Sequence, residues 1–213
     1  MSIIIKTAEK PKKELIPSGT HIARCYSMIC IGTQNFEYQG ESKKSNRIRL
    51  IFELPHEIRE FNEEKKPLVI TKEYTLSLHE KSNLRKDLES WRGQAFTSKE
   101  LNSFDLTKLL GIPCNLSIIH KESNSGKPFA FISNISKLSK GVECPELINE
   151  IREFNFTDKF DINWLEEECP SWIQEQIKSS DEYKAWKENN DYSFKDDPVD
   201  LHNELESNDG LPF

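Results

Sequence analysis

The sequence has no apolar run near the roughly 18–20 residues of a spanning helix, which excludes a helical membrane span on sequence grounds. The run at Met1-Ser2-Ile3-Ile4-Ile5-Lys6 is too short for a signal peptide. Its five cysteines (Cys25, Cys30, Cys114, Cys144, Cys169) include no C-x-x-C pair, and its five histidines form no ligand pattern. A zinc site or disulfide framework is therefore not expected, and reduced, mostly buried thiols in a cytoplasmic protein are. Phosphate-binding P-loop, G-x-S-x-G and H-E-x-x-H signatures are all missing. Glu166-Glu167-Glu168 reads as a solvated helix face rather than a metal cluster. We expect no metal, no cofactor and no enzyme activity. Apolar residues are also scarce, at 36%, against about 45–50% in a typical globular chain when Gly is counted.

What is present is charge, unevenly spread. Residues 1–140 hold 23 Lys and Arg against 16 Asp and Glu, whereas residues 141–213 hold 6 against 20. The net charge of −7 thus hides a basic body and an acidic tail. A basic surface attracts polyanions, and an acidic arm on the same chain competes for it. This points to nucleic-acid handling.

The chain divides accordingly. Residues 1–17 are Lys-rich with Pro11 and Pro17, a flexible lead-in. Strands are expected at 21–31, 46–54, 68–78, 115–121 and 128–138, each from apolar alternation or β-branched content. In the first, Ile22, Tyr26 and Met28 are expected on one face and Ala23, Cys25 and Ile29 on the other. In the second, Ile48, Leu50, Phe52 and Leu54 face inward, with Arg47, Arg49, Ile51 and Glu53 outward. Residues 32–45 read as a long loop and 55–66 as a charged connection. Leu84, Leu88 and Trp91 mark a helix, with a Ser77–Glu80 capping box before it and Gly93 as its stop. Thr97-Ser98-Lys99-Glu100 opens a second helical piece.

The order β-β-β-α-β-β over residues 18–140 is that of the OB-fold, a five-stranded Greek-key barrel that binds oligonucleotides or oligosaccharides. The expected fold class is therefore mainly β. A β-sandwich, which calls for more strands and no central helix, fits less well. Residues 141–188 read as short amphipathic helices, Pro145–Phe154 among them, docking on the barrel or on another subunit. Residues 189–213 read as a disordered acidic tail.

Within this frame the candidate DNA-binding residues are Phe36, Tyr38, Lys43 and Lys44 in the first loop, Arg47 and Arg49 on strand two, Lys72 on strand three, and Lys121, Lys127 and Phe129 around the last hairpin. Cations follow phosphates, and flat rings stack unpaired bases at about 1–3 kcal/mol each. Burial competes for the rings: Phe52, Phe129 and Phe131 suit a core, and Tyr74 shares a face with Leu68, Ile70 and Leu76.

The tail ends Asp209-Gly210-Leu211-Pro212-Phe213. A terminal Phe offers a partner a ring and a carboxylate at one point, and Pro212 limits the freedom lost on docking. This end resembles the acidic tip of bacterial single-stranded-DNA-binding proteins, several Asp followed by Ile-Pro-Phe. Asp209, Leu211, Pro212 and Phe213 match, with Gly210 where Asp is usual and Leu for Ile. The resemblance implies recruitment of replication and repair proteins through those four residues. The stretches 72–81, 84–93, Leu109-Leu110-Gly111 and 113–121 resemble phage- and prophage-encoded single-stranded-DNA-binding or replication proteins. That resemblance implies an OB-fold coating single strands in the cytoplasm of a bacterial host, with no membrane involved.

The function expected is thus sequence-tolerant single-stranded-DNA binding in phage replication or recombination. Two alternatives stay open: mimicry of the host protein's tip to divert host enzymes, and strand annealing. DNA versus RNA and homo-oligomer formation are open as well.

Overall fold

The computed structural model describes residues 14–61, 63–157 and 160–193. The tip at Asp209, Leu211, Pro212 and Phe213, most of the lead-in and most of the acidic tail lie outside these residues.

The molecule is mainly β. Its strands are β1 (Gly19–Tyr38), β2 (Glu41–Phe61), β3 (Glu64–Thr75), β4 (Pro113–Glu122), β5 (Pro128–Lys137) and β6 (Arg152–Phe154). Five form an antiparallel sheet in the order β3-β2-β1-β4-β5, and β6 pairs parallel to β1. Residues Gly19–Arg24 of β1 pair with β4, and from Arg24 onward β1 pairs with β2. The sheet does not close: among the described residues no ladder joins its outer strands, β3 and β5.

Helix α1 (Asn83–Arg92) stands between β3 and β4 and buries Leu84, Leu88 and Trp91. These pack on the inward residues of the strands, Ile48, Leu50, Phe52 and Leu54 of β2 among them, with the Phe52 and Trp91 rings 5.6 Å apart. Gly93 ends the helix in the left-handed region, its N–H bonded to the Glu89 carbonyl. The expected Ser77–Glu80 box does not form. The helix starts later, at N-cap Ser82, and Ser77 Oγ accepts from the His79 amide instead. The Thr97–Glu100 box does form, opening α2 (Ser98–Asn102). A 3₁₀ turn follows at Leu106–Leu109.

Three further sequence expectations about the fold are corrected. The first concerns strand lengths. Residues 32–45 are not a loop: β1 and β2 continue as a two-stranded arm, Phe36 opposite Lys43 and Tyr38 opposite Glu41. Its tip is Gln39-Gly40, at φ 55° and 80°, the pattern of a two-residue type I′ turn, which a glycine satisfies without strain. Residues 55–61 and 64–66 likewise belong to β2 and β3, with a register shift between Leu54 and Ile58 that takes up Pro55.

The second concerns parity in β1. Cys25 pairs with Phe52 and Ser27 with Ile51, leaving Tyr26 as an extra, unpaired residue. One inserted residue exchanges the faces of everything after it. Ala23, Cys25 and Met28 therefore share one core, while Ile29 and Ile31 face the other side.

The third concerns residues 141–154. Pro145–Phe154 is not a helix but an extended strap ending in β6. The Glu53 carboxylate, 1% exposed, accepts from the backbone amides of Ile148 at 3.0 Å and Asn149 at 2.8 Å, so these groups have a partner that no helix need supply. Arg24 fastens the same strap through the carbonyls of Cys144 and Pro145, at 2.8 and 2.7 Å.

Beyond the strap lie α3 (Ile162–Glu167), α4 (Ser171–Ser179) and α5 (Asp181–Ser193). They dock on the sheet's other face, where Phe154, Trp164, Leu165, Ile173 and Ile177 cover Ile29, Ile31 and Ile51. Ser180 divides α4 from α5: its hydroxyl donates to the Ile177 carbonyl and accepts from the Tyr183 amide. No described helix is long and apolar enough to cross a membrane.

Candidate nucleic-acid interface

The arm places alternate side chains of β1 and β2 side by side, as antiparallel pairing requires. Lys43 Nζ lies 4.8 Å from the Tyr38 ring centroid and the Arg47 guanidinium 5.4 Å from that of Phe36. Tyr38 is 52% exposed. Lys43 is 3.6 Å from Glu41, an open pair of small energetic worth.

Other expected contacts are already engaged by partners within the protein. Lys44 Nζ is 2.7 Å from Asp181 Oδ2, and the next residue, Glu182, accepts from the Thr33 amide at 2.6 Å and its hydroxyl at 2.7 Å. The start of α5 therefore sits on the base of the arm. A Cβ on Gly32, whose φ is +79°, would stand 2.7 Å from both Glu182 Oε2 and Ser180 Cβ, so only glycine fits this crossing.

Arg49, expected outside, is 5% exposed. It donates to Glu73 and to Gln176 Oε1, and its guanidinium stacks 4.1 Å from the Trp172 centroid. The outward face of β2 became a second core because α4 covers it. Glu73 also accepts from Arg47 at 2.8 Å. Burial would raise the Glu73 pKa, but the hydrogen bonds from Arg47 and Arg49 overcome it and hold the carboxyl below its ordinary value. Lys72 shares the inward parity of Leu68, Ile70 and Tyr74, and pairs with Asp87 at 2.7 Å. Tyr74 is buried, as its face predicts.

The unclosed edge between β3 and β5 is where cations and rings converge. A cleft of about 860 Å³ separates Thr71–Tyr74 and the start of α1 from Phe129–Asn134, with Arg49 and Lys86 in its lining. A second cleft of about 490 Å³ shares Glu73, Tyr74 and Asn83 with the first and extends it toward Arg47 and Lys81. Lys121 Nζ lies 3.5 Å over the Phe131 ring, and Lys72 Nζ is 5.8 Å from the same centroid. Phe129, 39% exposed, meets Phe131 edge to face at 6.5 Å. Lys127 is exposed at the hairpin tip. Among the described residues Lys81, Lys86, Lys121 and Lys127 form no ion pair.

The structure thus gathers Arg47, Arg49, Lys72 and Phe129 along one trough, with Lys121 at its β5 wall. Phe36 reaches it through Arg47, while Tyr38, Lys43 and Lys44 belong to the arm. Lys81, Lys86 and Trp172 went unrecognised in the sequence. Lys86 lies off the Leu84–Leu88–Trp91 stripe and Trp172 off the Ile173–Ile177 stripe, a signal that each points away from its helix's own core, whereas Lys81 precedes α1 in a turn and carries no such signal.

Among the described residues no group of three or more His, Cys, Asp and Glu is placed to hold a metal ion. Compared with known proteins, the chain matches no family model and no curated protein.

Proposed function

We propose that this protein binds single-stranded nucleic acid without sequence preference, and that its sheet is an OB-fold barrel opened at the β3–β5 edge. The fold reading is supported by the strand order β3-β2-β1-β4-β5, by β1 serving two partners, and by the helix between β3 and β4. In this reading the polynucleotide lies in the trough between β3, α1 and β5.

The observation that carries the function is the β4–β5 wall: Lys121, which forms no ion pair among the described residues, is poised on Phe131 beside the exposed Phe129, with Lys127 at the hairpin tip and Lys86 of α1 across the cleft. Stacking needs an accessible ring and backbone tracking needs free cations, and duplex DNA, whose bases are already stacked, uses only the second. The resemblance to phage replication proteins makes single-stranded DNA in a bacterial host the first ligand to test, with the acidic tip as a recruiter of replication or repair proteins.

The test is a fluorescence-anisotropy titration of labelled oligo-dT and of a duplex of equal length, each at two salt concentrations. Single strands should bind more tightly than duplex and lose affinity as salt rises. Failure to bind oligo-dT in dilute buffer ends the proposal.

A further inference from the structure

We propose that Trp172, on the C-terminal helices rather than on the sheet, is a base-stacking residue that extends the single-strand path beyond the trough. This inference rests on the proposed function. Trp172 is 48% exposed, the largest side chain among the exposed apolar residues of the described chain. It is not needed to dock α4, because Ile173 and Ile177 on the same helix are buried and do so.

One face of the indole is already covered. The Arg49 guanidinium stacks 4.1 Å from its centroid, so the exposure falls on the opposite face and the rim. Arg49 is itself held in place: its Nη2 donates to Glu73 and Gln176, and Gln176 belongs to the same helix as Trp172. A ring fixed in this way gives up little conformational freedom when a base lands on it. Among the described residues the indole N–H donates to no partner, which leaves it free for a base edge or phosphate oxygen.

Position supplies the second argument. Arg49 lines the same cleft as Phe129, Phe131 and Lys86. The Trp172–Arg49 stack therefore stands at the border of that cleft, and a strand leaving the Phe129–Phe131 wall has only to cross the rim of this stack to reach the indole face turned away from Arg49. The occupant that fits an open ring backed by a cation, beside a lysine-lined trough, is an unpaired base of a polyanionic strand. The C-terminal helices then complete the site as well as covering the apolar face of the sheet.

The experiment uses the full chain and labelled oligo-dT with Trp172→Ala and Trp172→Phe. Alanine should weaken binding about 5- to 150-fold, the equivalent of one lost stack, and phenylalanine should restore most of it. The slope of log affinity against log salt should stay at the wild-type value, because no cation is removed. Oligo-dT should quench the intrinsic fluorescence of the wild type far more than that of Trp172→Phe, since Trp91 and Trp164 are buried and Trp186 is partly buried against Phe160 and Tyr183. Wild-type affinity in Trp172→Ala, or equal quenching in Trp172→Phe, overturns the stacking role while leaving the proposed function standing. A changed salt slope overturns it too, since that means α4 and α5 have shifted and released Arg49 and Lys44. A wild type that ignores oligo-dT removes both proposals together.

Discussion

Lys72 of β3 and Asp87 of α1 face each other at 2.7 Å across the mouth of the trough, each side chain 14% exposed. The Tyr74 hydroxyl donates to the same Asp87 oxygen, also at 2.7 Å. The carboxylate thus holds a lysine that the proposed function would set against phosphate, and it pushes the Tyr74 phenol, already raised by burial, further above its ordinary value. Asp87→Asn should free Lys72. Oligo-dT binding in dilute buffer should tighten, and the slope of log affinity against log salt should steepen by about 0.7, one further phosphate on a single strand. Stability should fall by about 1–3 kcal/mol, measured by urea unfolding, because a partly buried ammonium loses its partner. An unaltered slope would show that Lys72 does not meet phosphate.

Glu53 ties the strap to the sheet. Its carboxylate is enclosed and accepts from Ile148 N, Asn149 N and Asn149 Nδ2. Glu53→Ala should cost about 2–3 kcal/mol, since buried amides lose a charged acceptor. Hydrogen exchange at Ile148 and Asn149 should accelerate well before the rest of the sheet. Unchanged protection at those two amides would mean that the strap is held by other contacts.

The C-terminal segment is needed to cover the sheet. A chain ending at residue 140 keeps all five strands of the antiparallel sheet but bares Ile29, Ile31 and Ile51. Exposed apolar area of this kind drives association. Residues 1–140 should aggregate or lose cooperative melting, observed by size-exclusion chromatography and calorimetry. A soluble monomer with a sharp transition would refute this.

Glu73 gives stability a pH dependence of defined sign. Its folded pKa is lowered from the ordinary 4.5, so the charged form contributes stability that is fully present above that value and fades as pH falls through the lowered one. The stability gap between wild type and Glu73→Gln, measured by urea unfolding, should be constant from neutral pH down to the ordinary carboxylate range and close below it. A gap that persists through acidification would show that the Arg47 and Arg49 hydrogen bonds do not depend on Glu73 charge.

Thiol chemistry follows from burial. Desolvation raises the Cys25 thiol to about 12 and those of Cys30 and Cys169 to about 11. All five cysteines are free, and iodoacetamide at mildly alkaline pH should alkylate the native protein slowly at each and the urea-unfolded chain rapidly. Rapid native labelling at Cys25 would contradict its enclosed position.

Local pattern was enough for much of this. Alternation in 46–54 identified the inward face of β2, the Leu84–Leu88–Trp91 spacing identified α1, and Gly93 and the Thr97–Glu100 box marked ends that the structure keeps. Where the reading went astray, a single added residue or a distant partner intervened. The Tyr26 bulge exchanged the faces of β1, which no periodicity in the sequence announces. The glycine- and glutamine-rich stretch 32–45 reads as a loop by composition, yet backbone pairing across Gln39-Gly40 makes it a twisted arm.

The candidate site shows the same division. Its residue types, lysines and arginines interleaved with phenylalanine and tyrosine, are a property of the sequence, as are the basic body and acidic end. Which of those side chains face solvent was decided by packing between elements far apart in the chain. Arg49 went inside because α4 lies across it, and Lys72 was engaged by a carboxylate from α1. Trp172 came to lie exposed over Arg49 because Ile173 and Ile177 turned inward on the same helix. Alternation and helical spacing act over a few residues and can be read directly. Burial and ion pairing depend on which surfaces meet, and that is settled only when the sheet and its C-terminal cover fold together.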